Sequence, residues 1–238
     1  MKKRLETLMM ALCLVLALAV PAVAAETESG LVSVDDIEID VAAITDAPVN
    51  KKSIGNDVYE FQLSQRVETT ETQGREEILC NSTKIIAVGE EEAQKVEGNI
   101  RKIQNARSTF SGGTVSGSYL GGSATLSSTT TLWSETKSGV LYYKIVNLET
   151  SVAVGSGVTF ENKRVDFFAN GYNMSGVFVT QEGSGYFRLN NKANDTVGAP
   201  SSWAHIKKTY DADIGGSYVC KLTKNGATTT VTLKNYYF

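Results

Sequence analysis

One histidine, three prolines and three cysteines are all that the 238 residues contain, and each scarcity removes a class of function. Ser-His-Asp catalysis needs a histidine to take the serine proton. The single candidate, His205, lies in a strand-like run in phase with Trp203 and Lys207 and reads as a surface position. No G-x-S-x-G elbow and no glycine-rich phosphate loop occurs. A structural zinc wants closely grouped His, Cys or carboxylate ligands, and Cys80 and Cys220 stand 140 residues apart. No cofactor is therefore expected. Basic residues are also too few for a general nucleic-acid binder, with 23 Lys and Arg against 26 Asp and Glu.

The first residues carry an export pattern. Lys2, Lys3 and Arg4 form a basic start, Leu8 to Val20 is an apolar run of 13 residues ended by Pro21, and Ala22-Val23-Ala24 supplies the small-x-small cleavage site. A membrane-spanning helix needs about 20 apolar residues, so residues 1–24 are expected to be a cleaved signal and the mature protein to be secreted. Their removal leaves 20 basic and 25 acidic residues, a net charge of −5. Cys80 and Cys220 remain. They could close a disulfide outside the cell or pack as two small buried hydrophobes.

Four further segments follow. Residues 25–50 hold seven acidic side chains and no basic one, which reads as an acidic linker, although Ile37, Ile39 and Val41 alternate like a short edge strand. Residues 51–107 read as a small α+β segment. Tyr59, Phe61 and Leu63 alternate as in a half-buried strand, and Ala93, Val96, Ile100 and Ile103 recur on one face of a helix. Glu90, Glu91 and Glu92 in its first turn complement the helix dipole. A small-residue hinge spans 108–113. From 114 to 238 strand-sized runs recur about every ten residues, the signature of an antiparallel sandwich or barrel. The fold class expected is mainly β, with a C-terminal antiparallel domain preceded by one amphipathic helix.

Three dipeptides predict two-residue hairpin loops, which need positive φ at both positions. Asn225-Gly226 pairs Lys224 with Ala227 and Cys220 with Val231, placing Tyr218, Cys220 and Leu222 on one apolar face. Gly121-Gly122 pairs Tyr119 with Ala124, and Asn170-Gly171 pairs Phe167 with Met174. Asn190 to Ser202 is the longest expected loop of this domain. The stretch from Asp213 to Cys220 resembles the corner motif of immunoglobulin domains, aspartate, glycine and then Tyr-x-Cys. It has one residue more between aspartate and tyrosine than that pattern and no second cysteine in the same domain. It is read as a tyrosine corner in an unrelated sandwich.

Few residues stand out for chemistry. Asp211 and Asp213 begin like a calcium loop but lack its later ligands, leaving them a weak metal site and otherwise an ordinary turn. Trp133, Tyr142, Tyr172, Tyr186 and Trp203 could stack on sugar rings. The ligand-binding candidates are Trp203, His205, Asn194 and Asp195. The function expected is that of a secreted bacterial, non-enzymatic binding protein acting at a cell surface or in the extracellular matrix, with a surface protein or glycan as partner. A carbohydrate-binding module is the alternative, followed by a hydrolase that uses carboxylates. If residues 1–24 are a signal, mass spectrometry of the protein from culture medium will find its N-terminus at Ala25 or Glu26; retention of Met1 to Ala24 would remove the export reading.

Overall fold

The computed structural model describes residues 36–72, 75–106, 113–186 and 194–238. Among them, strands β5 (Arg75–Val88), β7 (Ala124–Lys137), β8 (Val140–Val154) and β9 (Val158–Tyr172) reach 14 or 15 residues each. Strands that long cannot stay flat. Register shifts at Thr131/Leu132 in β7 and at Val219/Lys221 in β14 (Asp213–Lys224) mark bulges, which bend a strand and raise its twist. The result is mostly β, with a curled antiparallel sheet forming a half-barrel.

The larger sheet runs in the order β12 (Asn194–Gly198), β8, β7, β5, β3 (Val58–Gln62), β2 (Asn50–Gly55), with β13 (Ile206–Lys207) also on β8 and β4 (Arg66–Thr72) also on β5. The smaller runs β10 (Phe178–Val179), β9, β14, β15 (Ala227–Tyr236), with β11 (Glu182–Tyr186) also on β9. Their facing sides enclose one core, built from residues such as Ile78, Ile86, Leu126, Leu148, Phe167, Tyr218, Leu222 and Leu233. Because β5 pairs with β7 from Glu77 to Ile86, the early segment does not dock on a separate β domain. It supplies strands to the same sheet.

A second core lies on the other side of β5. Helix α2 (Glu90–Asn105) buries Ala93, Val96, Ile100 and Ile103, the four positions its sequence period marks. They pack with Ile85 and Ala87, while Ile86 between them faces the inter-sheet core. An apolar run such as Ile85-Ile86-Ala87 is what a strand covered on both faces requires. The stretch 36–50 joins this layer. Strand β1 (Glu38–Asp40) pairs with β6 (Thr114–Ser116), and α1 (Ala42–Thr45) follows. Ile37, Ile39, Val41, Ala43 and Ile44 are all buried, so residues 36–50 are packed structure rather than linker. Five buried apolar side chains, at roughly 1.5–3 kcal/mol each for the larger ones, outweigh the repulsion between carboxylates that stay at the surface.

The C-terminal hairpin forms as its sequence dictates: Asn225 and Gly226 have φ of 53° and 78°, and Lys224↔Ala227, Cys220↔Val231 and Tyr218↔Leu233 are in register. Two expected hairpins do not form. Gly121 (φ 82°) is the left-handed stop of α3 (Gly117–Leu120), and a Cβ on Gly122 would lie 2.5 Å from Ile85 Cγ2. That glycine pair serves a helix end and a close approach instead of a strand reversal. Asn170 and Gly171 continue β9 and pair onward with β14 and β10. The reversal falls at 173–177, where Asn173 Oδ1 accepts from the amides of Ser175 (2.9 Å) and Val177 (3.1 Å). The expected loop 190–202 is partly strand, since 194–198 form β12 on the edge of β8. The positions 1–24, 108–112 and 190–193 lie outside the described residues.

Cys80 and Cys220 are buried free thiols on strands of different sheets, so the disulfide does not form. Burial pushes Cys80 up to about 12, and Cys220 likewise to about 12 with the Lys163 charge offsetting only part of the effect. That suppresses the thiolate which disulfide exchange requires.

One inward row of β5 and of β7 is polar. Ser82, Lys84, Ser128 and Thr130 are buried there, together with Asn235 of β15. The Asn235 amide donates to Cys80 O at 2.6 Å and Ser128 O at 2.9 Å, and its carbonyl accepts from Gln65 Nε2 at 2.9 Å. Replacing it leaves buried partners unmade at a typical cost of about 1–3 kcal/mol each. We expect Asn235→Ala to lower unfolding free energy by roughly 2–4 kcal/mol in urea titration; a loss under about 0.5 kcal/mol, within the range of surface substitutions, would refute that role.

Candidate functional site

Burial runs out along β7 after Ser134, and the last residues of the strand are exposed. There the ends of β4, β5, β7 and β8 border an open cleft of about 880 Å³ lined by Glu71, Arg75, Glu76, Trp133, Glu135, Leu141 and His205 among others. Ladder register places its parts. Glu71 lies opposite Glu76, Glu77 opposite Trp133, and Glu135 opposite Tyr142. His205 arrives from the segment before β13, which pairs Ile206 with Tyr143.

The indole of Trp133 is 36% exposed. Arg75 Cζ stands 5.2 Å above its ring centroid, within the range of a cation–π contact. Ser134 Oγ donates to Glu76 Oε2 at 3.0 Å. His205 Nε2 lies 3.7 Å from Glu135 Oε2. Burial lowers the His205 pKa; Glu135 pulls it the other way, and the Lys144 and Arg75 charges add to the lowering. At neutral pH the imidazole is therefore neutral. This lining can stack on one group and accept several hydrogen bonds.

Of the residues singled out in the sequence, His205 and Trp133 meet in this cleft. Trp203 does not line it; its ring packs edge-on to Phe167 at 6.5 Å and against Gly183. Asn194 and Asp195 sit on β12 opposite Ser151 and Thr150, with Asp195 Oδ1 taken by the Thr196 amide. Asp211 Oδ1 accepts from Thr209 Oγ1 at 2.8 Å inside a turn, and Asp213 opens β14 opposite Asn170. Among the described residues no group of three or more His, Cys, Asp or Glu is arranged to hold a metal. Tyr172 lies against Phe178 at 5.2 Å. The Tyr186 side chain lies outside the description. The five aromatics thus do not form one platform. Arg75, Glu71, Glu76 and Glu135 were not legible as a set, because pairing between β5 and β7 brings together residues almost 60 positions apart.

A second polar cluster invites a catalytic reading and does not sustain it. Lys224 Nζ lies 3.0 Å from Ser123 Oγ, as in a serine–lysine pair. Such a lysine must be neutral to take a proton, but Lys224 Nζ is ion-paired with Glu92. The Ser123 hydroxyl donates to Glu92 and accepts from Lys224 and from the Val88 amide. Ser123 is also buried. The cluster ties α2, β5, β7 and β14 together.

Comparison with protein-family models, with curated proteins and with solved structures finds no match.

The histidine gives the cleft a pH signature. A folded-state pKa below the ordinary 6.5 means that the unfolded chain binds the proton more readily. His205 therefore contributes to a loss of stability as pH falls through about 6.5. Urea midpoints at pH 7.5 and 5.5 should draw closer together in His205→Gln than in the parent; equal separations would contradict the assignment.

Proposed function

We propose that this protein is exported by a bacterium and works as a non-enzymatic recognition protein at a cell surface or in the extracellular matrix, engaging its partner through the Trp133 cleft. The observation that carries this reading is the partly exposed indole in a concave, polar setting. Large rings that are open in the free protein and become covered on binding dominate many interfaces. The charged leader pattern and the threonine- and serine-rich strands favour an extracytoplasmic role. A glycan is the second reading. It is favoured by the same indole, which can cover the apolar face of a sugar, and by carboxylates placed to accept hydroxyl donors. A carboxylate-dependent hydrolase has less support, since Asp211 is engaged within its own turn.

The test is retention of the purified mature protein on intact bacterial cells and on immobilised host matrix, with Trp133→Ala beside it. Trp133→Ala is expected to keep the melting temperature within a few degrees and to weaken retention by about tenfold or more. Purely soluble behaviour of the parent protein, or equal retention of the variant, would count against the proposal.

A further inference from the structure

The chemistry of the lining bears on what the partner presents. From the geometry we infer that the cleft takes a cationic group, the guanidinium or ammonium of a basic peptide segment, which exchanges with Arg75 on the face of Trp133. The inference rests on the reading of this cleft as the recognition site and names the partner's class.

Three features converge. The Trp133 face already holds a guanidinium 5.2 Å from its centroid, so the ring is placed to receive a cation. Glu135, two places along β7, shares the Trp133 face, whereas Glu76, bonded to Ser134, and Glu71 opposite it line the cleft from the other face of their strands. Lys144, across from Trp133, donates to Ser201 O at 2.7 Å. Glu135 is 59% exposed and makes a 3.7 Å contact with His205, while a carboxylate accepts up to about four hydrogen bonds. The open cleft has a volume of about 880 Å³, room for a segment of a few residues.

The position of Arg75 separates the candidate ligands. A neutral sugar stacking on Trp133 must displace the guanidinium and offers no charge in its place. An anionic group meets the exposed Glu135 carboxylate. An incoming guanidinium or ammonium replaces Arg75 like for like, with the Glu135 carboxylate on hand to receive it. Arg75 thus acts as an internal competitor, and its removal has a sign opposite to that expected of a ligand-binding arginine.

Titration calorimetry on the mature protein decides between these, using blocked Gly-Arg-Gly-Arg-Gly, the glutamate peptide of the same length, and cellohexaose. The arginine peptide is expected to bind, and to weaken severalfold when salt rises from 0.05 to 0.5 M, as screened charges do. Trp133→Ala and Glu135→Gln should each weaken it by about fivefold to tenfold. Trp133→Phe, which keeps a ring, should fall between, and guards against a folding defect in Trp133→Ala. Arg75→Ala should leave binding unchanged or tighten it by up to roughly fivefold. Loss of arginine-peptide binding in Arg75→Ala would overturn the inference. So would Trp133-dependent binding of cellohexaose or of the glutamate peptide in preference to it, although the cleft would then stand as the recognition site. If Trp133→Ala leaves both peptide binding and retention on cells untouched, both readings fall.

Discussion

The edge of the smaller sheet meets the face of the larger one, and this contact governs the rest of the molecule. Strand β15 pairs with β14 along one side, while its other side approaches β5 and β7. An edge strand carries backbone groups that must find partners when buried. Here side chains supply the donors. Lys84 Nζ reaches Thr232 O at 2.7 Å, Gln65 Nε2 reaches Tyr236 O at 2.7 Å, and Thr130 Oγ1 lies 3.4 Å from Asn235 O. That is why this part of an otherwise apolar core contains Ser82, Lys84, Ser128, Thr130 and Asn235. The Lys84 charge is in turn paired with Glu60 at 2.7 Å. A buried ion pair of this kind adds little net stability over an apolar replacement. Its service is to fix where β15 lands.

Once that edge is held, the remaining packing follows from the two faces of β5. Its inward residues close the inter-sheet core, and Ile85 and Ala87 on the outward side receive α2. The Glu92–Ser123–Lys224 cluster then joins the start of the helix to the end of β14, across more than 130 positions of sequence. Burial works against the Glu92 carboxylate, but hydrogen bonds from Lys224, Ser123 and the Val88 amide outweigh it and hold its pKa below the ordinary value. The polar belt fixes the position of the smaller sheet, and the cluster holds helix and strand ends to that frame.

The parts that were legible in the sequence are those decided locally. The Asn225-Gly226 hairpin follows from two residues that tolerate positive φ, and the buried face of α2 follows from spacing alone. The misread parts were decided by distant contacts. A glycine pair marks any site that needs an unusual φ or a missing Cβ, and at Gly122 the reason is Ile85, nearly 40 residues earlier. Acidity at 25–50 gives no hint that the alternating isoleucines within it find β6 and α2. The inward serines and threonines of β5 and β7 look like a solvent face until β15 is in place. The strand-like period from Trp203 to Lys207 misplaced His205, because only Ile206 and Lys207 form a strand and His205 precedes it.

The cleft differs from both polar clusters in one physical respect. At the belt and at Ser123, Lys84, Thr130, Asn235 and Ser123 each hold partners within the fold. At the ends of β5 and β7, burial has already faded, and β7 finishes in the exposed Glu135, Thr136 and Lys137. Beside these stand a large ring, a guanidinium lying on that ring and the Glu135 carboxylate on the same face. The arginine's contact is solvent-accessible and so worth little to the fold, about 0.5–1 kcal/mol. Exchange for an outside cation therefore costs the structure almost nothing. A weak internal contact whose loss the fold does not feel, held in a cleft of like chemistry, is what a reversible binding site requires.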